Sequence, residues 1–384
     1  MNSVDKQYFD LLNYILTRGV VKQDRTGTGT ISVFDYTMRF DMSEGFPCLT
    51  SKKMYFKGII YELVWFLGNH MRLEKYSKFG LTNIKYLVDN NVNIWVGDAY
   101  KNYIKRVSDP ITKEEFVDRI KNDDDFASTY GDLGPVYGHQ WINWGGYKTI
   151  QPDYSQEIGY NTFGGGRNIV KSAPLVEVEV KGINQVQSLI DDLKNNPDSR
   201  RLMVNAWNVS DMDKCVLPPC HYGFQCYTRE MTIEERVDCA NDIPIYSKFA
   251  ITQNDGRKML LAGVPEESYM LDKKNFPKRK LDMKWTQRSV DTPLGLPYNI
   301  SSYAILLHLI ANEVNMIPGD LIFSGGDVHI YLNQIDAIKE QLNSETFDLP
   351  TIKIANKSIW DIMPEDIELV DYKSAKTIKI ELSN

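Results

Sequence analysis

The sequence has no surplus of positive charge: 44 lysine and arginine residues stand against 51 acidic residues, which gives a formal net charge of −7. Proteins that bind nucleic acid non-specifically neutralise its phosphates with an excess of Lys and Arg. The composition therefore argues against a nucleic-acid partner. Any phosphate group that this protein binds requires a local cluster of arginines.

The sequence also lacks a long apolar run. A helix that spans a bilayer needs about 20 mostly apolar residues, and no segment reaches that length. The N-terminal stretch 1–19 carries acidic and polar residues inside its apolar pattern, unlike a secretory signal peptide. We expect no membrane association and a cytoplasmic location.

Cysteine is scarce, with only five residues in the chain. Their number is odd and their positions are too dispersed to form a disulfide framework. Cys215, Cys220, Cys226 and His221 lie close enough in sequence to suggest a metal site. Neither CxxC spacing nor a second Cys/His pair accompanies them, so we expect no metal.

The segment DRTGTGT at 24–30 does not match the phosphate-binding loop pattern GxxxxGK[ST]. This mismatch disfavours hydrolysis of a nucleoside triphosphate.

Hydrophobic periodicity predicts helices and strands in irregular alternation. No βαβ regularity and no internal repeat is present, so we expect an α+β fold in a single domain over residues 1–384. Three stretches are predicted to be inserted surface segments, at about 101–131, 145–173 and 229–284, the second as a long loop. Helices are predicted at about 8–19, 57–68 and 111–126, from 182 to just before Pro197, and from near Asn299. Strands are predicted at 31–42, 176–180, 202–207 and 222–227.

A candidate nucleophile lies in LPPCHYGFQCY at 217–227. Two prolines restrict the backbone before Cys220, and a nucleophile benefits from such preorganisation. The competing interpretation is a buried cysteine that acts as a small hydrophobe. From this segment alone both interpretations stay open.

Arginines occur in settings suited to an anion. They are Arg25 in DRTGTGT, the pair Arg200 and Arg201, and Arg288 in QRSVD. Guanidinium groups bind phosphate through fork-shaped hydrogen bonding. Each of them is also compatible with an ordinary solvated arginine.

Seven motifs, in this order and over most of the chain, resemble the thymidylate synthase superfamily. They are DRTGTGT, IIYELVWFLG, GDLGPVYGHQW, PDSRRLMVNAWN, LPPCHYGFQCY, QRSVDTPLGLPYNISSYAILLHLIA and GGDVHIYLNQ. The resemblance implies a large twisted mixed β-sheet flanked by helices. It also implies a folate-dependent enzyme that transfers a one-carbon unit from 5,10-methylenetetrahydrofolate to C5 of dUMP.

The resemblance assigns catalytic roles to four residues. Cys220 resembles the nucleophile that adds to C6 of the pyrimidine, and Glu62 the carboxylate that organises water and proton transfer there. Tyr137 resembles the tyrosine near the thiol. Asn299 resembles the base-reading residue, because an amide matches the O4 acceptor and N3–H donor of uracil and thus selects dUMP over dCMP.

The resemblance also implies binding roles. In a homodimer, Arg200 and Arg201 reach the nucleotide phosphate in the site of the other subunit. Asp291 resembles the acid that holds the pterin, and His221 has a supporting role. Further substrate ligands are implied at Arg25, Gln287, Arg288, Ser289, His329 and Tyr331, the last two at the 3′-hydroxyl, and cofactor contacts at Trp95, Leu294, Gly295, Tyr298 and Asn384.

The C-terminal tail departs from the family pattern. Synthases end in a small apolar pair that closes over folate, whereas this chain ends in Ser383 and Asn384, and Tyr298 replaces a common Phe. Dry closure excludes water, so a polar tail favours attack by water instead of hydride. These departures resemble bacteriophage deoxyuridylate hydroxymethylases, and we expect 5-hydroxymethyl-dUMP as product. The alternative is a thymidylate synthase, making dTMP and dihydrofolate.

A catalytically inactive relative that binds nucleotide or RNA is an interpretation from another class. Cys220, Arg288, Asn299 and His329 are all present, which argues against loss of catalysis, and the net negative charge argues against RNA. A flavin-dependent enzyme is disfavoured because its motifs differ from these.

Overall fold

The computed structural model describes residues 1–24, 27–152, 175–242, 250–252, 258–260 and 270–383. Its strands form one large sheet and three two-stranded pairs. The strands are β1 Val20–Lys22, β2 Thr30–Asp41, β3 Tyr147–Pro152, β4 Leu175–Val180, β5 Met203–Asn205, β6 His221–Glu230, β7 Ala250–Thr252, β8 Lys258–Leu260, β9 Arg279–Asp291, β10 Ile317–Tyr331, β11 Thr351–Ile354 and β12 Ile367–Val370.

The described residues also form helices, several of which flank the large sheet. They are α1 Ser3–Arg18, α2 Phe56–Phe66, α3 Glu74–Ser77, α4 Lys85–Asp89, α5 Val96–Ile104, α6 Lys113–Asn122, α7 Asp124–Tyr130, α8 Tyr137–Ile142, α9 Gln185–Asn195, α10 Ile233–Asp242, α11 Gly295–Glu313 and α12 Ile335–Leu342.

The large sheet has six strands in the order β1-β2-β10-β9-β6-β5. Strands β9 and β10 are parallel, and the other neighbours in the sheet are antiparallel. A mixed sheet flanked by helices confirms the predicted α+β class. The two central strands, β9 and β10, end at Asp291 and Tyr331. Because they run parallel, both carry predicted site residues to the same end of the sheet.

One face of the sheet is buried under helix α11. Along β9, Leu281, Met283 and Trp285 are buried while Lys284 between them is exposed, which is the period-two pattern of a half-buried strand. The ring of Trp285 stacks on Tyr303 of α11, with centroids 5.1 Å apart. The opposite, open face of the sheet carries exposed side chains, among them Lys284 and Tyr227.

Helix α11 begins at Gly295, four residues before the start predicted near Asn299. Pro297 lies in its first turn, where a proline is tolerated because the first N–H groups of a helix have no intrahelical partner. The predicted start was therefore wrong. Asn299 lies more than one turn inside the helix instead of at its beginning.

The predicted loop at 145–173 was wrong at its beginning, because Tyr147–Pro152 forms strand β3, paired antiparallel with β4. The partner strand is distant in sequence, so local composition, dominated here by glycine and polar residues, gave no sign of the pairing. Residues 153–173 of this predicted insertion lie outside the described part of the chain.

The other two predicted insertions contain regular structure. Within 101–131, helix α6 starts with a capping box between Thr112 and Glu115 and buries Phe116. The ammonium group of buried Lys85 donates to two carbonyls at the end of α6. Strand β6 extends into the beginning of 229–284, and strand β9 starts before the end of that segment, so the large sheet includes both of its ends.

Candidate active site

Cys220 lies immediately before β6, and both of its backbone groups are held. Its N–H donates to the hydroxyl of Tyr137 over 2.7 Å. Its carbonyl accepts from the backbone N–H of Arg288 over 2.8 Å. A loop fixed at both backbone groups presents its thiol in one direction, as nucleophilic catalysis requires.

The side chain of Arg288 binds the same loop. Its Nε donates to the carbonyl of Pro219 at 2.9 Å and its Nη2 to that of Pro218 at 3.0 Å. The guanidinium also packs over the ring of Trp207, 5.3 Å from its centroid. Because a guanidinium carries five N–H groups, Arg288 can fix the loop and still bind an anion.

His221 is buried next to the loop and stacks on Tyr137, with ring centroids 4.0 Å apart and an interplanar angle of 13°. Its Nδ1 lies 2.8 Å from the hydroxyl of Tyr303. Burial lowers the pKa of His221 to about 3, so the imidazole is neutral. A neutral, stacked imidazole suits the supporting role expected for this residue.

Glu62 is the buried carboxylate of helix α2. Burial raises its pKa to about 7, against the opposing effect of a hydrogen bond from Trp95. That bond runs from the indole Nε1 to a carboxylate oxygen over 2.8 Å. Trp95 also contacts Tyr137, with ring centroids 5.9 Å apart, so Glu62 and Trp95 belong to the same cluster as Cys220.

A second cluster lies at the end of β9. Asp291 accepts a hydrogen bond from the N–H of Leu294 at 3.1 Å, and burial raises the pKa of its carboxyl. Beside it, burial lowers the pKa of the Lys52 ammonium to about 8 while the nearby Asp291 opposes this shift. His329 of β10 pairs with Asp291 in the strand register. Its Nδ1 lies 3.1 Å from a carboxylate oxygen of Asp327.

The C-terminal tail reaches this second cluster. Gln334 donates from its amide nitrogen to the carbonyl of Glu381 over 3.0 Å. The same amide nitrogen lies 3.5 Å from both carboxylate oxygens of Asp291. The hydroxyl of Ser383 donates to Asn333 over 3.1 Å. The tail therefore lies next to the residue expected to hold the pterin.

The remaining predicted residues surround these two clusters. Arg200 and Arg201 are exposed, and among the described residues neither side chain hydrogen-bonds to the Cys220 loop. Buried Gln287 accepts a hydrogen bond from Trp285. Arg25 and Asn384 lie outside the described residues. Half-buried positions are found for Ser289, Leu294, Gly295, Tyr298, Asn299 and Tyr331.

Three residues of the site were missed by the sequence analysis. Tyr303 and Gln334 both lie inside quoted motifs, NISSYAILL and GGDVHIYLNQ, but nothing in those motifs sets them apart from core residues. Lys52 is a buried lysine, which hydrophobic periodicity does not reveal. Their roles depend on contacts with residues distant in sequence.

Comparison with known proteins identifies the family. The thymidylate synthase family model matches residues 6–384. The chain belongs to the thymidylate synthase family. It is 37% identical over 380 residues to a protein of Mesoplasma florum named thymidylate synthase, covering 98% of this chain and 99% of that one.

Two further thymidylate synthase relatives match at nearly full length. The protein of that name from Mycoplasma genitalium is 36% identical over 369 residues, covering 96% of each chain. The one from Mycoplasma pneumoniae is 34% identical over 380 residues, covering 98% of this chain and 99% of that one. The expected relation to phage hydroxymethylases finds no support among these relatives.

The described helices of this thymidylate synthase family member include none with the length and apolar character of a membrane-spanning segment. Among the described residues, no group of three or more His, Cys, Asp or Glu side chains is arranged to hold a metal ion.

Proposed function

We propose that this protein transfers a one-carbon unit from methylenetetrahydrofolate to C5 of dUMP through a covalent Cys220 adduct, and that its product is dTMP. The observation that carries the proposal is the Cys220 loop itself. Tyr137 and Arg288 hold it from two sides, within the aromatic cluster that also contains buried Glu62. Membership of the thymidylate synthase family supports the same activity.

In the first step the Cys220 thiolate forms a bond to C6 of the pyrimidine. The electron pair of the C5–C6 double bond moves toward O4, so C5 becomes an enolate-like carbon that can attack an electrophile. Glu62, with a pKa of about 7, can hold or release a proton near neutral pH. Its position beside Tyr137 supports a role in proton transfer around the ring.

Asn299 is proposed to read the base. It lies half-buried in the second turn of α11, a helix that packs against the sheet. Its amide offers one donor face and one acceptor face, which match O4 and N3–H of uracil. In the amide orientation that serves uracil, cytosine would place its 4-amine against the amide nitrogen and its unprotonated N3 against the amide oxygen, so like groups would face each other.

The folate side is proposed to be the second cluster. Methylenetetrahydrofolate supplies the one-carbon unit and, for dTMP, the hydride. The fit rests on Asp291, a largely buried carboxylate that accepts a hydrogen bond of 3.1 Å from Leu294 and lies 3.5 Å from the amide nitrogen of Gln334. Such a carboxylate suits the ring N–H and amino donors of a pterin. Trp95 provides an apolar wall close to Glu62.

The nucleotide phosphate is proposed to bind at Arg288, with Arg200 and Arg201 supplied by a second copy of the chain. A groove on the open face of the sheet is lined by Arg288 and Trp207 together with Met203 and Tyr222. Met203 is 56% exposed and Tyr227 of the same face 64%. Exposed apolar side chains that adjoin a proposed anion site support a homodimer on this face.

The dTMP product is favoured over 5-hydroxymethyl-dUMP by two observations. The relatives that match over nearly the whole chain are named thymidylate synthase. The Ser383 hydroxyl, which was expected to admit water, donates to Asn333 instead. The hydroxymethylase stays a second candidate because the tail carries polar Ser383 and Asn384.

The covalent step is tested with 5-fluoro-dUMP and methylenetetrahydrofolate. In this analogue fluorine replaces the C5 hydrogen that a base removes as a proton, and because fluorine cannot be removed in that way, the covalent adduct accumulates. Mass spectrometry of the intact protein should show the added mass for the wild type and for Cys215→Ala, a half-buried control thiol. Cys220→Ala should show none. An adduct that persists in Cys220→Ala would overturn the assignment of the nucleophile.

A further inference from the structure

Gln334 occupies an unusual position between the folate side and the tail. Its side chain is fully buried, with 0% exposure. Its carbonyl oxygen accepts from the N–H of Tyr331 over 3.0 Å, which fixes the orientation of the amide. Its nitrogen donates to the Glu381 carbonyl at 3.0 Å and lies 3.5 Å from both oxygens of Asp291.

The chemistry of these three contacts requires an amide. Tyr331 presents a donor, whereas Glu381 and Asp291 both present acceptors, and an amide supplies one acceptor and two donors from one planar group. A carboxylate at this position would lack the donors. An apolar side chain would leave buried polar groups without partners, which costs roughly 1–3 kcal/mol per group.

Among the described residues, other contacts to the tail lack this double connection. Asn333 donates to the side chain of Glu381 at 3.3 Å and accepts from Ser383, but both contacts are exposed and neither involves Asp291. Gln334 is therefore the described residue whose one side chain touches both the tail backbone and the proposed pterin carboxylate.

We propose that Gln334 is a positioning residue that couples the C-terminal tail to Asp291, so that the tail closes in register with bound folate. This inference rests on the proposed function, in which Asp291 holds the pterin. The strong bond to Glu381 sets where the tail backbone lies. The long contacts to Asp291 let the same amide respond when donors of the folate occupy that carboxylate.

The test is Gln334→Glu, which keeps the shape and the acceptor for Tyr331 but removes both donors. It also places a carboxylate against Asp291 and the Glu381 carbonyl. The KM for methylenetetrahydrofolate should rise about tenfold or more, as expected for loss of hydrogen bonds to charged or buried partners. A folate analogue should no longer protect the backbone amides of residues 375–383 from hydrogen exchange.

Two measurements isolate the coupling. In the proposed first step, addition of the Cys220 thiolate to C6 lets C5 take up and lose a proton without folate, so exchange of the C5 hydrogen of dUMP with solvent should be unchanged in Gln334→Glu. Gln187→Glu, the same change on α9 at a side chain that accepts from Trp360, should leave the folate KM and the tail protection unchanged. If Gln334→Glu loses C5 exchange and is therefore misfolded, the uncharged Gln334→Met takes its place with the same expected results.

Unaltered folate KM and tail protection in a variant that keeps C5 exchange would overturn the coupling while leaving the proposed function intact. Absence of C5 exchange and turnover in the wild-type protein would overturn the proposed function itself. The two failures are thus distinguishable in one set of measurements.

Discussion

The hydroxyl of Tyr137 accepts a hydrogen bond from the backbone N–H of Cys220 over 2.7 Å. This bond connects helix α8 to the loop that presents the thiol, and the ring of Tyr137 also stacks on His221. The direction of the thiol therefore depends on a residue 83 positions away in the sequence.

Tyr137→Phe keeps the stacked ring but removes the hydroxyl that accepts from the N–H of Cys220. We expect kcat to fall about 10- to 100-fold, since misplacing a nucleophile is costly, while dUMP binding changes little. Single-turnover kinetics and calorimetric titration with dUMP measure the two effects. Tyr14→Phe, at an exposed position of helix α1, is the control. Equal kcat values in all three proteins would contradict the role of the bond.

Glu62→Gln tests the buried carboxylate in catalysis. A glutamine can still accept from Trp95 but cannot exchange a proton, so we expect kcat to fall about 100-fold or more. The wild-type pH profile of kcat/KM should show an inflection near pH 7, the pKa of Glu62, and the variant should lack it. An inflection that persists in Glu62→Gln would assign it to another group.

The same substitution should stabilise the fold. The folded-state pKa of Glu62 is raised from 4.5 to about 7, so ionising the buried carboxyl costs the folded protein about 3 kcal/mol above pH 7. This cost grows as pH rises from 4.5 and is small below it. Denaturant unfolding should therefore show Glu62→Gln more stable than wild type at pH 8 and nearly equal at pH 4.5, whereas a variant equally stable at pH 8 would contradict the raised pKa.

Asn299→Asp should shift the substrate preference toward dCMP. A carboxylate removes the donor to O4 of uracil and accepts from the exocyclic amine of cytosine. We expect the ratio of kcat/KM for dUMP over dCMP to fall about 100-fold. Competition between the two nucleotides in one reaction measures this ratio directly. An unchanged ratio would show that another residue reads the base.

Asp5 should contribute strongly to stability. Its fully buried carboxylate accepts from the Asn2 side chain, from the N–H and hydroxyl of Thr50 and from the N–H of Ser51. Asp5→Ala removes the buried acceptor of the Thr50 and Ser51 N–H groups and should lower the free energy of unfolding by about 3 kcal/mol. The exposed Asp10→Ala on the same helix should change it by less than about 0.5 kcal/mol. Similar values for both variants would contradict the role of the buried network.

Sequence alone predicted the parts of the fold that depend on local signals. The strand at 31–42 and the Cys220 loop were found because alternation and paired prolines are local features. The pairing of β3 with β4 and the contact of Gln334 with Glu381 were not, since each joins residues distant in sequence. The burial that raises the pKa of Glu62 also follows from tertiary packing, although its position in an apolar helix had indicated a buried acid.

Product analysis tests the central claim most directly. The protein is incubated with dUMP and methylenetetrahydrofolate, the nucleotide is identified by mass spectrometry, and dihydrofolate is followed by absorbance. We predict dTMP together with an equimolar amount of dihydrofolate. Unmodified dUMP would contradict one-carbon transfer, and 5-hydroxymethyl-dUMP without dihydrofolate would contradict the dTMP assignment and establish the hydroxymethylase.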